Sequence, residues 1–303
     1  MPYCGWRHSL NSLIEKETMD PFIIPEFLQK TCNHSESGAA WLRHLPDNIR
    51  MLQERWALEI GEPILENASC SWVAPCIREN GSAAILKLGM PHSQAEGEID
   101  GLLFWNGDPT VFLFEADRKI NAMLLERCHP GTSLHVLTEA EQDPIIAGIL
   151  RRIWAKPPDR NRFRSLQQMV REWTSGPTGT PENDYDYGLA EEGDQLREAL
   201  AEDATEEVML ATDLHAGNIL RAERERWLAI DPKPYYGDPT YDATQHLLNG
   251  KKRLASSPEQ TISHFAELLQ LDDKRVQRWL FARLASEERV SDQALARRIG
   301  LPR

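Results

Sequence analysis

The stretch Val208–Pro232, VMLATDLHAGNILRAERERWLAIDP, constrains this chain more than any other part of it. Short apolar runs at Val208–Leu210, Ile219–Leu220 and Trp227–Ile230 are separated by a polar loop and by a charged turn, Arg221–Arg226. Short apolar runs bounded in this way read as strands, so the stretch is expected to be a loop followed by a hairpin. Three oxygen-bearing side chains, Asp213, Asn218 and Asp231, are then carried on two strands joined by a short turn. An Asp at a loop start is by itself an ordinary turn or cap residue. In this order the three can do more, because phosphoryl transfer asks little of a protein. It needs a carboxylate that orients the attacking hydroxyl and takes its proton, and oxygen ligands that hold Mg²⁺ against the phosphates. Asp213 is the candidate for the first role, Asn218 and Asp231 for the second.

The run Asp213-Leu-His-Ala-Gly-Asn-Ile-Leu220, followed by a strand ending in Ile230-Asp231-Pro232, resembles the catalytic and metal-binding loops of the aminoglycoside phosphotransferases, relatives of the protein kinases. Its spacing is most similar to the streptomycin 6-phosphotransferase and hydroxyurea-resistance kinase branch. Asp213, His215, Gly217, Asn218 and Asp231 carry the resemblance. It implies an α+β, protein-kinase-like two-lobed fold, with a small antiparallel β-rich N-lobe and a mainly helical C-lobe. It also implies ATP and Mg²⁺ as cofactors, Asp213 as the catalytic residue, and Asn218 and Asp231 as the metal ligands. His215 is then a loop-orienting hydrogen-bonder, since a carboxylate already fills the role of base. One departure stands out: Ala211-Thr212 occupies the place of the family's usual His-Gly, whose His helps to fix the loop backbone.

A site of this kind needs a lobe that holds the triphosphate. Trp72–Ile77 and Ala83–Leu88, with Asn80-Gly81 between them, read as a hairpin. A lone Lys in a strand reads as a solvated one, but the resemblance places Lys87 on the α- and β-phosphates. Eleven residues on, Glu98 lies in a helix-like stretch, Ser93–Trp105, and is the expected partner of Lys87, with Glu96 as its rival. The stretch Glu66–Trp72 contains no glycine, so it is not the Gly-rich cradle of the protein kinases. It reads equally as a hairpin turn or as a Ser-rich phosphate loop in which Ser69 and Ser71 reach the nucleotide. Ala122–Leu134 runs from an apolar strand through a Pro-Gly break to a helix start. The resemblance puts the adenine-binding hinge at Glu126–Cys128. Cys128 is expected to line the pocket, because no organised His and acid partner makes it a nucleophile.

The formal net charge of −13 argues against a nucleic-acid partner, whose phosphates need a basic footprint. It suits a small-molecule substrate, most simply a cationic one. Eleven acids lie between Glu182 and Glu207, against one base, Arg197. Such a run reads first as a solvated helix face, but it leads into Asp213, so part of it is a candidate lining for the acceptor pocket. No apolar run reaches the roughly 18 residues of a membrane span, and residues 1–20 lack the apolar core of a secretory signal. Five cysteines without a C-x-x-C pair fit a reduced cytoplasm and no zinc site.

The expected organisation is an N-terminal extension over residues 1–45, a nucleotide-binding lobe over 46–128 and a helical catalytic and substrate lobe over 129–303, acting as a monomer or weak dimer. Gly176–Pro181 reads as a loop between helices. Asp242 resembles the family's structural aspartate, capping a helix behind the catalytic loop. Two classes of function fit: an ATP-dependent O-phosphotransferase acting on a hydroxyl of a small molecule such as streptomycin, or a degenerate nucleotide-binding scaffold on the same fold. A kinase of a neutral metabolite is a variant of the first. Lys87, Asp213, Asn218 and Asp231 together favour the enzyme.

Overall fold

The computed structural model describes residues 23–65, 70–91, 97–173 and 182–302. Two helices, α1 (Glu26–Cys32) and α2 (Glu36–Arg55), come first. The Ser35 hydroxyl accepts the Gly38 N–H at 3.0 Å and so satisfies one of the free donors where α2 begins. Trp41, Leu45, Ile49 and Leu52 recur every three or four residues and form one buried stripe. The stripe lies on an antiparallel sheet made of β1 (Glu59–Ile60), β2 (Ser71–Ile77), β3 (Ala83–Gly89), β4 (Leu113–Asp117) and β5 (Ala122–Glu126), with helix α3 (Glu98–Trp105) inserted between β3 and β4. The strands lie in the order β1-β2-β3-β5-β4. Residues 23–45, expected as part of an extension, thus supply Leu28, Cys32, Trp41 and Leu45 to the core of the small lobe. The helical spacing of Trp41, Leu45 and Ile49 runs straight across the boundary drawn at residue 46.

Successive side chains of a strand point to opposite faces. Trp72, Ala74, Cys76, Ala84, Leu86, Leu88 and Leu124 face α1 and α2. Ile85, Met123 and Leu125 face the other way and pack with Ile99 and Leu102 of α3. Lys87 has the parity of this second set, which turns it away from α2 and toward α3 and the large lobe. The β2–β3 hairpin pairs Val73 with Lys87 and turns at Gly81, where φ is +80° and glycine is the residue that adopts it without a Cβ penalty.

The larger lobe holds α4 (Glu139–Trp154), α5 (Leu166–Trp173), α6 (Tyr187–Glu202), α7 (Pro239–Asn249), α8 (Lys251–Ser256), α9 (Pro258–Leu269), α10 (Asp273–Ala285) and α11 (Val290–Ile299). The helix expected just after the hinge begins only at α4, where Thr138 and Glu141 form a capping box; before it stands one short 3₁₀ turn, Leu134–Val136. Trp279, Leu280, Phe281 and Leu284 make α10 a buried helix, packed on α6, α7, α9 and α11. Between α6 and α7 lie two small antiparallel pairs: β6 (Val208–Leu210) with β9 (Tyr235–Gly237), and β7 (Ile219–Arg221) with β8 (Trp227–Ala229). The second pair is the hairpin expected from the sequence. The loop Gly176–Pro181 lies outside the described residues. Among the described residues, no helix is long and apolar enough to cross a membrane.

The aspartate that caps α7 is Asp238, whose carboxylate accepts the Thr240 N–H at 2.9 Å. Asp242, expected in that role, sits inside the first turn of α7 and is turned toward the loop before Asp213. A residue at the fourth helical position is past the cap and is free to serve another segment.

Candidate active site

Between the lobes lies a cleft of about 570 Å³, a size that suits a small organic ligand. Ser71, Lys87, Glu98, Glu126, Cys128, Asn218 and Asp231, drawn from the sheet, α3, the inter-lobe segment and the hairpin, all line it. Ser69 and Glu96 lie outside the described residues. Lys87 Nζ donates to both oxygens of Glu98 at 2.7 Å and to Asp231 Oδ1 at 2.8 Å. With Lys87 8% and Glu98 5% exposed, this is no solvated strand lysine.

One ammonium therefore serves two carboxylates. Burial works against the Lys87 charge, but Glu98 and Asp231 outweigh it and hold the group above its usual value. Burial pushes the Glu98 carboxyl up to about 7, with Asp231 adding to the shift and Lys87 opposing it. Burial also acts on Asp231, yet the Lys87 ammonium overrides it and keeps that carboxyl below the usual range. The carboxylate more open to the cleft, Asp231, is thus the one held ionised.

At the inter-lobe segment, the Glu126 carboxylate is clamped by Arg224 at 2.9–3.0 Å and accepts the Phe112 N–H at 3.0 Å. Burial, helped by the Glu126 charge, pushes the Cys128 thiol up to about 11. A thiol so protonated is wall, not nucleophile. Cys32, Cys70, Cys76 and Cys128, the described cysteines, are all free.

Asp213 does not line this cleft. It lines an adjoining pocket of about 130 Å³ together with Met169, Trp173, Thr212, Tyr235, Tyr241, Gln245 and Arg283. Its Oδ2 is engaged by the Lys233 ammonium in a short ion pair, and its Oδ1 accepts from Gln245 Nε2 at 2.9 Å. Lys233 alone, among the described residues, lines both the pocket and the cleft. His215 Nδ1 accepts the Gly217 N–H at 3.0 Å, while its Nε2 stands 4.0 Å from Asp213 Oδ1. Burial holds the imidazole below its usual value, so the ring is a neutral brace for the loop.

The Ala211-Thr212 departure has a visible consequence. Thr212 sits at φ +50°, in the left-handed region that favours the glycine usual in the family and disfavours a β-branched residue. Compensating contacts hold it there. The Thr212 and Ala211 N–H groups donate to the Asp242 carboxylate at 2.7 and 3.0 Å, and Thr212 Oγ1 donates to the Lys233 carbonyl at 2.7 Å. Trp154 Nε1 gives Asp242 a third donor at 3.0 Å, although burial still pushes its carboxyl up to about 6. The loop backbone is therefore fixed without the usual histidine.

The donor set suits a hard divalent cation. Asn218 Nδ2 donates to the Asp213 carbonyl at 3.0 Å, which leaves its Oδ1 as an acceptor, and Asn218 and the ionised Asp231 both line the cleft. No acid of the Glu182–Glu207 run lines either cavity. Much of the run is used locally: Asp186 caps α6 and pairs with Arg297, Asp194 pairs with Arg197, Glu202 with Arg171, and Glu207 with Arg160. The expectation that it borders the acceptor finds no described residue to carry it. The pocket residues other than Asp213 and Thr212 escaped sequence reasoning, among them Lys233, Gln245 and Arg283. Lys233 had a local signal, since it stands two positions beyond Asp231 in the run Ile-Asp-Pro-Lys-Pro. Gln245 and Arg283 had none.

A small antiparallel lobe with a buried Lys–Glu pair, set over a helical lobe with an Asp loop followed by a short hairpin, is the architecture of the small-molecule kinases. The chain is similar in fold to choline kinase LicA from Streptococcus pneumoniae (TM-score 0.57, 16% identity, 83% of this chain and 91% of that one) and to spectinomycin phosphotransferase APH(9)-Ia (TM-score 0.50, 16% identity, 79% and 84%). Residues 55–292 match the family described as aminoglycoside/hydroxyurea antibiotic resistance kinase, and the chain belongs to that family. It is 31% identical to streptomycin 6-kinase of Streptomyces griseus over 278 residues, 88% of this chain and 89% of the relative. It is 33% identical to hydroxyurea phosphotransferase of Kitasatospora aureofaciens over 257 residues, 82% and 73%. The protein is a small-molecule kinase of the two-lobed, protein-kinase-like fold.

Proposed function

We propose that this kinase transfers the γ-phosphoryl group of Mg-ATP to a hydroxyl of an aminoglycoside such as streptomycin, with Asp213 as the catalytic residue. The observation that carries the reading is the placement of Asp213 in a pocket that opens beside the cleft formed by Lys87, Asn218 and Asp231. In the cleft Lys87, held by Glu98, takes the α- and β-phosphates, with Ser71 on the cleft wall, and the backbone at Glu126–Cys128 faces the adenine. Asn218 Oδ1 and the Asp231 carboxylate would hold Mg²⁺, which when bound offsets phosphate charge and fixes the geometry of transfer. Asp213 accepts a hydrogen bond from the acceptor hydroxyl, aims its oxygen at the phosphorus and takes the proton as the new bond forms.

Support for the acceptor class comes from two streptomycin 6-kinases, 31% and 30% identical to this chain. The pocket fits a polar, aromatic-stacking acceptor. The Trp173 ring is 39% exposed and available to a cationic group. The buried Tyr241 hydroxyl has no partner among the described residues, and a buried polar atom calls for one. A second reading, hydroxyurea as the acceptor, rests on the 33%-identical relative. We place the nucleotide lobe at residues 23–128 and the catalytic lobe from 129 on, and read the protein as a monomer or weak dimer of the reducing cytoplasm.

The test is ADP formation with streptomycin, hydroxyurea and a sugar alcohol in turn, followed by mass analysis of the product. Streptomycin-dependent turnover and a phosphorylated streptomycin are expected. Turnover with hydroxyurea alone would move the acceptor to the second reading, and no turnover with any acceptor would overturn the assignment to this class of acceptors.

A further inference from the structure

We propose that Lys233 is a contact for the γ-phosphate: its ammonium leaves Asp213 when a triphosphate fills the cleft and follows the transferring group to the acceptor. The proposal rests on reading the cleft as the Mg-ATP site. Three observations support it. First, Lys233 alone among the described residues lines both cavities, so a phosphoryl group passing from cleft to pocket passes this side chain. Second, the ammonium stands between two carboxylates, in an ion pair with Asp213 and within electrostatic reach of Asp231. A terminal phosphate arriving next to Asp213 would meet a like charge, and a cation at that spot is what converts repulsion into attraction. Third, the backbone of Lys233 is anchored, so a change of partner falls to its side chain alone. The Lys233 N–H donates to the Ala211 carbonyl at 3.0 Å and its own carbonyl accepts from Thr212 Oγ1 at 2.7 Å, which ties its backbone to the catalytic loop. Pro232 and Pro234 flank it and restrict the chain on either side. A lysine is a point charge on a flexible four-carbon stem, suited to moving between two oxygens.

Both Asp213 oxygens are engaged, one by Lys233 and one by Gln245. Moving Lys233 to the phosphate frees Oδ2 for the acceptor hydroxyl. The same cation then serves both halves of the reaction in sequence.

The alternative is that Lys233 only neutralises Asp213. Calorimetric binding of Mg-AMP-PNP and Mg-ADP to wild type, K233M, D213N and D213N/K233M separates the two. K233M should weaken Mg-AMP-PNP at least about tenfold, the scale of one lost charge-assisted hydrogen bond, and leave Mg-ADP nearly unchanged. The same loss should appear when K233M is added to D213N, where there is no carboxylate left to neutralise. Binding of Mg-ADP doubles as the check on folding, and the double variant removes both charges together, so no buried charge is left alone. A Mg-AMP-PNP penalty that vanishes in the D213N background would overturn the γ-phosphate contact, as would equal losses for both nucleotides. Wild type binding neither nucleotide would instead overturn the nucleotide reading of the cleft, and this proposal with it.

Discussion

The cleft draws its key polar groups from short local motifs, with Lys87 and Glu98 eleven residues apart and Asn218 and Asp231 at the two ends of one hairpin, whereas the pocket beside it is assembled from distant elements. Met169 and Trp173 come from α5, Tyr235 from β9, Gln245 from α7 and Arg283 from α10. On the proposed function, the difference follows from what each cavity would have to hold. A triphosphate and its cation are met by a few formal charges at fixed distances, and a strand, a hairpin and one helix suffice to place them. An acceptor molecule is met by shape, ring faces and neutral hydrogen bonds, which need several helix surfaces converging. Asp213 stands on the seam, belonging by sequence to the hairpin and by position to the pocket.

The strongest way to break this division is at the seam. Replacing Asp213 by Asn should lower kcat on the order of 10²-fold or more, because the group that takes the acceptor proton is gone. Nucleotide affinity should not fall, since Asp213 does not line the cleft. A D213N enzyme with near-normal kcat would assign the base to another residue.

Lys87→Ala should act on the other cavity. Its removal takes away the cation proposed to hold the nucleotide and leaves Glu98 and Asp231 without their shared partner, so the apparent affinity for nucleotide should drop by roughly tenfold or more, the worth of a lost charged hydrogen bond. The acceptor KM should be unaffected. Parallel losses in both KM values would mean that the two cavities are one energetic unit.

A smaller effect concerns pH and stability. In the folded chain burial raises Glu98 from 4.5 to about 7. A carboxyl raised on folding contributes stability below its unfolded value, and that contribution fades as pH climbs through the folded one. Nucleotide-free wild type should therefore lose urea resistance between about pH 4.5 and 7 more steeply than Glu98→Gln, which cannot titrate. Parallel curves for the two proteins would show that Glu98 keeps its charge throughout the window.

The smallest effect is expected from the acidic run. Neutralising Glu191, Glu192 and Asp194 together should change the acceptor KM by less than about twofold at physiological salt, where exposed charges are screened beyond about 8 Å. None of the three lines the pocket, and Asp194 is already paired with Arg197. A larger rise would restore the run as a guide for a cationic acceptor.

The hairpin, the Lys87 strand and its partner helix were legible because each is a local pattern: apolar runs between turns, and carboxylates at motif spacing. The helical period of Trp41, Leu45 and Ile49 was equally legible, yet α2 was cut at residue 46 because its partner, the far face of the sheet, is reached only through β2 and β3. Charge left two readings open, a solvated helix face first and a pocket lining second, and the described residues support the first. Eleven acids precede Asp213, but a helix turns its residues to all sides, and several of the acids pair with Arg197 of the same helix or with arginines of α5 and α11.

Local order thus settles which groups are brought together at the candidate site, because Asp213, Asn218 and Asp231 lie within one supersecondary unit whose geometry follows from backbone sterics and apolar alternation. Which groups surround that chemistry is a matter of helix packing. Gln245 reaches Asp213 across 32 residues, and Asp242 rather than a histidine braces the loop, because α7 is pressed against β6 by the core beneath it. Contacts of that kind depend on the summed burial of many side chains, which no short stretch of sequence records.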